Sequence, residues 1–456
     1  MTLEDIPALN RAISRRTLLT AAGLGVAGAA LAACGGGSGG TTAASSAAAG
    51  SLGSSAGGSF SAPPADTRAT LSISNWGDPG DKPVYAAVAD RFKKKYPNVT
   101  VEDNFTAITT WSDYINKLVT QIAGGKAPDV INIALEGFQL GVQKQLFRDL
   151  TSYLNGDKSA AALKTGVDPQ LVAPFTKGGK QFLLPNTWNT MLVYYNTKMF
   201  AKAGIARPSD DWTWDEFQAI AKKLTTGSGS SKVYGFGLPY FNFGLTPWFY
   251  SNGTSELNAD LTASNMTDPK MVESVTFVRD LVKSGISPAP KGADPYQLFP
   301  AGQVAMTGAG HWVVGPFKTA HFSDYDVVPW PKKTTKATVF GTGGFGIYAK
   351  SAQPDLAWEY LKELTSETTQ QQWVTVGSAT PTLKSQAQTT AFLAEPKHAN
   401  LYYGAISYAK PVAAPTIYNT LETSVMRAMD SVMSGTDPAA ALSAADKEIN
   451  QAFQDQ

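Results

Sequence analysis

The sequence has one cysteine, Cys34, and three histidines, His311, His321 and His398, in 456 residues. A lone cysteine excludes an intramolecular disulfide, so core packing alone must hold the fold. The histidines have no metal-ligand spacing and no cysteine near them, which argues against a zinc site. No G-x-S-x-G stretch occurs, so the nucleophile turn of a serine hydrolase is missing. Charge is scarce and balanced: 38 basic against 37 acidic residues, 16% of the chain in all, for a net +1. Basic residues gather only in "FKKKY", 92 to 96, which reads as the solvated C-terminal end of a helix. Without a basic footprint to neutralise phosphates, nucleic acid is excluded as a partner.

What the chain does have is apolar material. Hydrophobic residues make up 43%, with 10 Trp, 17 Tyr and 21 Phe, enough to bury a large core. Its length exceeds what one core usually serves, so two lobes are expected. Residues 1–33 read as an export signal: Arg15-Arg16 after Ser14 precede a run from Leu18 to Ala33 that is too short and too rich in alanine and glycine to span a bilayer. The arginine pair resembles a twin-arginine signal, and the general secretory route stays open beside it. "LAAC" resembles the bacterial lipobox, which implies that Cys34 becomes a lipidated N-terminus. Residues 34–67, almost all Gly, Ser, Ala and Thr before "SAPPAD", cannot bury enough apolar surface to order themselves and read as a flexible tether reaching about 30 Å.

From Arg68 the pattern changes. "ATLSISNW" alternates like a strand, "DKPVYAAVADRFKKKYPN" spaces Val84, Val88 and Phe92 as a helix does, and "VTVEDNF" alternates again. Strand, helix, strand predicts a βαβ unit in a parallel sheet. "WSDYINKLVTQIA" predicts a helix stopped by Gly124-Gly125, and "DVINIAL" a buried strand. Ligands of such sheets sit beyond the carboxyl ends of the strands, which directs attention to "NWGD" (75–78) and "ALEGF" (134–138). "GTGGFG" (341–346) matches a dinucleotide-binding spacing but runs into the strand-like "IYAK" instead of opening a helix, so no nucleotide cofactor is expected.

The collinear series "SNWGD", "GGKAPDVINIALEGF", "QFLLPNTWNTMLVYYNTKMFAKAGI", "DWTWDEFQAIAKKL", "FPAGQVAMTGAGHWVVGPFK", "VVPWPK" and "GTGGFGIYAKSAQPDLAWEYLKEL" resembles extracellular solute-binding proteins of family 1, the maltodextrin-binding-like lipoproteins that feed ABC importers. The resemblance implies an α/β periplasmic-binding-protein-like fold, two lobes joined by three crossovers, with a ligand cleft between them. The lobes are expected at 68–185 with 331–388 and at 186–330 with 389–456, with "LLPN" and "VVPWPK" at crossings. It further implies a monomer on the outer face of the cell membrane that binds a carbohydrate without covalent chemistry, uses no cofactor or metal, and delivers its ligand to permease subunits.

Aromatic faces cover the C–H faces of sugars, and planar carboxylates and amides bind their hydroxyls. Trp76, Trp188, Tyr240, Trp248 and Trp312 lie in turn-like contexts beside glycine, proline or small polar residues. Together with Asp78, Glu136, Asn189, Gly343 and Gly344, they are the expected ligand-binding set. Ile133 stands where relatives that bind linear glucans often carry an aromatic, and Gly137 where some carry a cation, which favours a mono- or disaccharide or a polyol over a long maltodextrin. Two alternatives remain: a surface carbohydrate-sensing receptor on the same fold, or a secreted glycoside hydrolase using Asp78 and Glu136.

Overall fold

The computed structural model describes residues 60–107 and 110–456. The expected signal, Cys34 and most of the tether lie outside the described residues. The ordered body begins before Arg68: the Phe60 amide donates to Gly156 O at 3.1 Å, and its ring packs 5.7 Å from that of Tyr153. An aromatic at the end of an otherwise small-residue segment has apolar surface to bury, and here it buries it.

The βαβ unit forms as the periodicity predicts. Strand β1 (Ala69–Gly77) leads through helix α1 (Lys82–Lys95) to strand β2 (Val99–Ala107), which pairs with it in parallel, Leu71 opposite Val101. Val84, Val88 and Phe92 are buried, and the three lysines occupy the last turn of α1, where the helix dipole favours cations. Helix α2 (Trp111–Ala123) starts at Thr110, whose side chain accepts from the Asp113 amide, and ends at the two glycines. Strand β3 (Val130–Ala134) is wholly buried and runs directly into helix α3 (Leu135–Gln143).

Strand β4 (Leu184–Thr190) is followed at once by β5 (Leu192–Asn196), then helices α4 (Trp214–Leu224) and α5 (Asn242–Ser251). The capping box at the start of α4 is present, with Thr213 and Glu216 each accepting from the other's amide, at 3.2 and 2.7 Å. Strands β6 (Met306–Ala309) and β7 (Tyr325–Val328) flank β5 in an antiparallel three-stranded sheet. Strand β8 (Thr338–Ile347), the two-residue β9 (Thr380–Pro381) and β10 (Ala409–Pro411) return to the first sheet, whose order is β9-β4-β8-β3-β1-β2 with β10 beside β8. Helix α6 (Tyr418–Met433) and helix α7 (Pro438–Gln454) close the chain.

Two features differ from expectation, the strand directions of the first sheet and the first lobe boundary. The first sheet is mixed, because β8 runs antiparallel to both β3 and β4. "GTGGFG" lies inside β8 and runs on as strand, as its sequence reads. The boundary expected at 185/186 falls within β4: that strand stays in the first sheet to Thr190, the chain enters the second at Leu192, and Pro185 of "LLPN" sits in the sheet. "VVPWPK" does run from the end of β7 into the connection to β8.

Candidate ligand-binding cleft

A cleft of about 390 Å³ opens between the two sheets, beyond the carboxyl ends of the parallel strands β1 and β3. Those adjacent ends bring Trp76 and Asp78 beside Ala134 and Glu136, as the strand-end rule requires. From the other lobe come Phe241 and Phe243 near the start of α5, Trp312 after β6, and Tyr418 and Glu422 of α6. The crossing strands β4 and β8 supply the floor, including Asn186, Asn189 and Gly343.

Trp76 is the aromatic centre of the first lobe. Its ring meets Trp111 edge to face, centroids 4.2 Å apart at 86°, and its indole Nε1 has no hydrogen-bond partner. Tyr85 donates its hydroxyl to Trp76 O at 3.2 Å, and Asn132 Nδ2 donates to that hydroxyl at 3.2 Å, so the end of β1 is fixed from below. Gly343 is required opposite: an added Cβ would lie 2.8 Å from Trp76 Cζ2. Gly77 has φ +152°, and a Cβ there would lie 2.5 Å from Asp81 Oδ2, the oxygen that accepts from the Asp78 amide at 3.0 Å.

Two carboxyls in the cleft are poorly solvated. Burial pushes Asp81 up to about 6 and Glu136 up to about 8, the latter also raised by the charge of Glu422. Glu136 Oε2 has no hydrogen-bond partner. The two lobes also touch directly at the rim, where Ser112 of α2 donates to Glu422 Oε2 at 2.6 Å and Asn419 Nδ2 donates to Asn116 Oδ1 at 2.8 Å.

Of the ten expected site residues, Trp76, Asp78, Glu136, Trp188, Asn189, Trp312 and Gly343 border the cleft. The Trp188 ring does not face it. Side chains alternate along β4, so Thr187 and Asn189 face one way and Trp188 the other; its Nε1 donates to Pro381 O at 3.1 Å and its ring packs on Phe340 and Tyr403. Trp248 is fully buried among Trp214, Phe217, Phe236 and Trp330, a core residue of α5. Tyr240 turns away and donates to Asp430 Oδ1 at 2.8 Å, while the adjacent Phe241 lines the cleft. Gly344 lies on the reverse face of the sheet, where a Cβ would sit 3.0 Å from Phe175.

Asn189 has a positioning role the sequence did not suggest. Its Oδ1 accepts from the His311 amide at 2.9 Å, tying the first sheet to the turn that presents Trp312. That turn is held further by His311, whose buried ring stacks on Phe392 and whose pKa burial lowers to about 3, so the imidazole is neutral. Sequence reading missed Asp81, Trp111, Asn132, Asn186, Phe241, Phe243, Tyr418 and Glu422. A capping acid one turn after "NWGD" could have pointed to Asp81; for the others only the three-dimensional arrangement brings them to the cleft.

Two α/β lobes with an aromatic, hydrogen-bonding cleft between them define a two-lobed solute-binding protein. The chain belongs to the family of bacterial extracellular solute-binding proteins, which residues 87–400 match. An ABC substrate-binding protein from Listeria monocytogenes, solved in complex with cycloalternan, is 27% identical, with a TM-score of 0.77 over 85% of this chain and 100% of that one. A binding protein of Brucella abortus is 26% identical over 295 residues, 61% of this chain and 67% of its own. The arabinooligosaccharide-binding protein of Bacillus subtilis is 24% identical over 242 residues, 51% of this chain and 53% of its own. Among the described residues, no helix is long and apolar enough to cross a membrane.

Proposed function

We propose that this protein captures a carbohydrate, a mono- or disaccharide or related polyol, and delivers it to the permease subunits of an ABC importer. Cys34 carries the lipid that holds it on the extracytoplasmic face of the cell membrane, and the protein acts as a monomer. We place the lobes at 68–190 with 331–388 and at 191–330 with 389–456, except that β10 (Ala409–Pro411) pairs in the first sheet.

The observation that carries this reading is the composition of the cleft. Trp76 and Trp312 present apolar faces from opposite lobes, and Glu136, Asn132 and Asn186 each keep a buried oxygen without a partner. A polyhydroxylated ring has apolar faces for the indoles and donors for those oxygens. The volume of about 390 Å³ lies within the range of small-molecule sites. The sugars bound by the Listeria and Bacillus relatives support the same class. Contacts from both lobes favour the closed state, and that state is the signal to the transporter. Hydrolysis is disfavoured because Asp78 and Glu136 come from one lobe and do not frame a scissile bond.

A thermal-shift screen against a carbohydrate panel, with small-angle scattering on any binder, tests the reading. A sugar that raises the melting temperature and reduces the radius of gyration is expected. A full panel that leaves the melting temperature unmoved would refute it.

A further inference from the structure

We propose that the cleft is built for a carbohydrate bearing a protonated amine, an amino sugar or aminocyclitol, with the ammonium held against Glu136 and ring faces against the indoles. This rests on the carbohydrate reading and narrows it.

The charged side chains lining the cleft are Asp78, Asp81, Glu136 and Glu422, all acidic, with no Lys, Arg or His among the described lining residues. The chain as a whole carries +1, so the bias belongs to the cleft. The neighbouring charges that act on Asp81 and Glu136 are themselves carboxylates, Asp78 and Glu422. No cation can reach the site from the position after Glu136 without displacement, because a Cβ on Gly137 would lie 2.5 Å from Ile133 Cδ1.

An independent feature points to a missing donor. Glu136, Asn132 and Asn186 are 3%, 1% and 3% exposed, and each has an oxygen with no hydrogen-bond partner. A buried carboxylate is costly unless it is paired and hydrogen-bonded. Hydroxyls can satisfy such oxygens as donors, but an ammonium supplies three donors and the compensating charge together. Indole faces such as that of Trp76 also attract cations. A uronic acid or sugar phosphate would meet only acidic side chains, Asp78 and Glu422 among them, and no counter-ion, so the same cleft disfavours it.

The test is calorimetric titration of the protein near pH 6.5 with matched pairs: glucosamine and glucose, galactosamine and galactose, mannosamine and mannose, and the β-1,4-linked diglucosamine and cellobiose. Glucuronate serves as the anionic probe. The best amine is expected to bind about ten- to a hundredfold more tightly than its hydroxyl counterpart, the range for hydrogen bonds to charged groups. Repeating the titration in two buffers of different protonation heat should show a proton released from Glu136 on binding the amine and none on binding the neutral sugar. Glu136→Gln, close in shape to the native residue, should close the gap between the paired ligands. If the hydroxyl member binds as well as the amine, if glucuronate binds comparably, or if Glu136→Gln weakens both members equally, the amine proposal is overturned while the carbohydrate reading stands. If no member of any pair binds, both are overturned.

Discussion

Replacing Trp312 by Ala, with Trp248→Ala beside it, separates recognition from packing in two tryptophans that look alike in sequence. Trp312 is half-buried at the cleft, with its ring over Gly310, where an added Cβ would lie 2.1 Å from Trp312 Cζ3, and 6.2 Å from Phe243 between centroids. A sugar face laid on one side of that indole covers about 40–120 Å² of apolar surface, worth about 1–3 kcal/mol at about 25 cal/mol per Å². Binding should weaken by roughly one to two orders of magnitude, at about 1.4 kcal/mol per tenfold. Trp248 is fully buried, 4.8 Å from Trp330 and 5.1 Å from Phe217 between ring centroids. Its truncation should remove about 3–5 kcal/mol of stability and affect affinity only through loss of folded protein. Calorimetric titration with the best sugar of the panel, paired with denaturant melts, measures both quantities for each variant. A Trp312→Ala protein with unchanged affinity and a stability loss as large as that of Trp248→Ala would refute the division.

Glu136 and Asp81 ionise in the folded chain at about 8 and about 6, against 4.5 and 3.8 when solvated, so the native state holds their protons more tightly. Their contribution is complete below about pH 4 and is lost as pH rises through about 6 and then about 8. The denaturation midpoint of the ligand-free protein should therefore fall between about pH 5 and about pH 8.5, and Glu136→Gln should remove most of that slope; an unchanged slope would contradict the burial argument. Gly343→Ala sets a methyl 2.8 Å from Trp76 Cζ2 and should weaken binding about tenfold or more while costing about 1–3 kcal/mol of stability, read by the same titration and melt. Cys34→Ala should abolish lipid attachment, and fractionation that still finds a processed, mature-sized variant at the membrane would count against the lipobox.

The parts of the site legible in the sequence were those fixed by short-range rules. Trp76, Asp78 and Glu136 lie at or just past the ends of strands whose apolar runs are plain, and a parallel sheet puts ligands there. Trp188 was misread because "PNTWNT" resembles a turn while the chain is still in β4, and a period of two sends its ring to the far side from Asn189. Trp248 was misread because Pro247 suggested a turn, whereas the proline sits inside the buried helix α5. Gly343 and Gly344 look equivalent, yet the pleat and an irregular register between them put one against Trp76 and the other against Phe175. Tyr418 and Glu422 stand more than 280 residues from Glu136 and reach the cleft only because α6 packs across to α2, which no local pattern encodes.

The central claim is that the space between the two sheets holds a carbohydrate gripped by both lobes, and a crystal structure with the tightest-binding sugar of the panel tests it most directly. The account predicts one sugar per chain, with a ring against Trp76 or Trp312 and polar atoms within hydrogen-bond distance of Glu136 and of Asn132 or Asn186. A sugar bound outside this cleft, or inside it with contacts to one lobe alone, would contradict it.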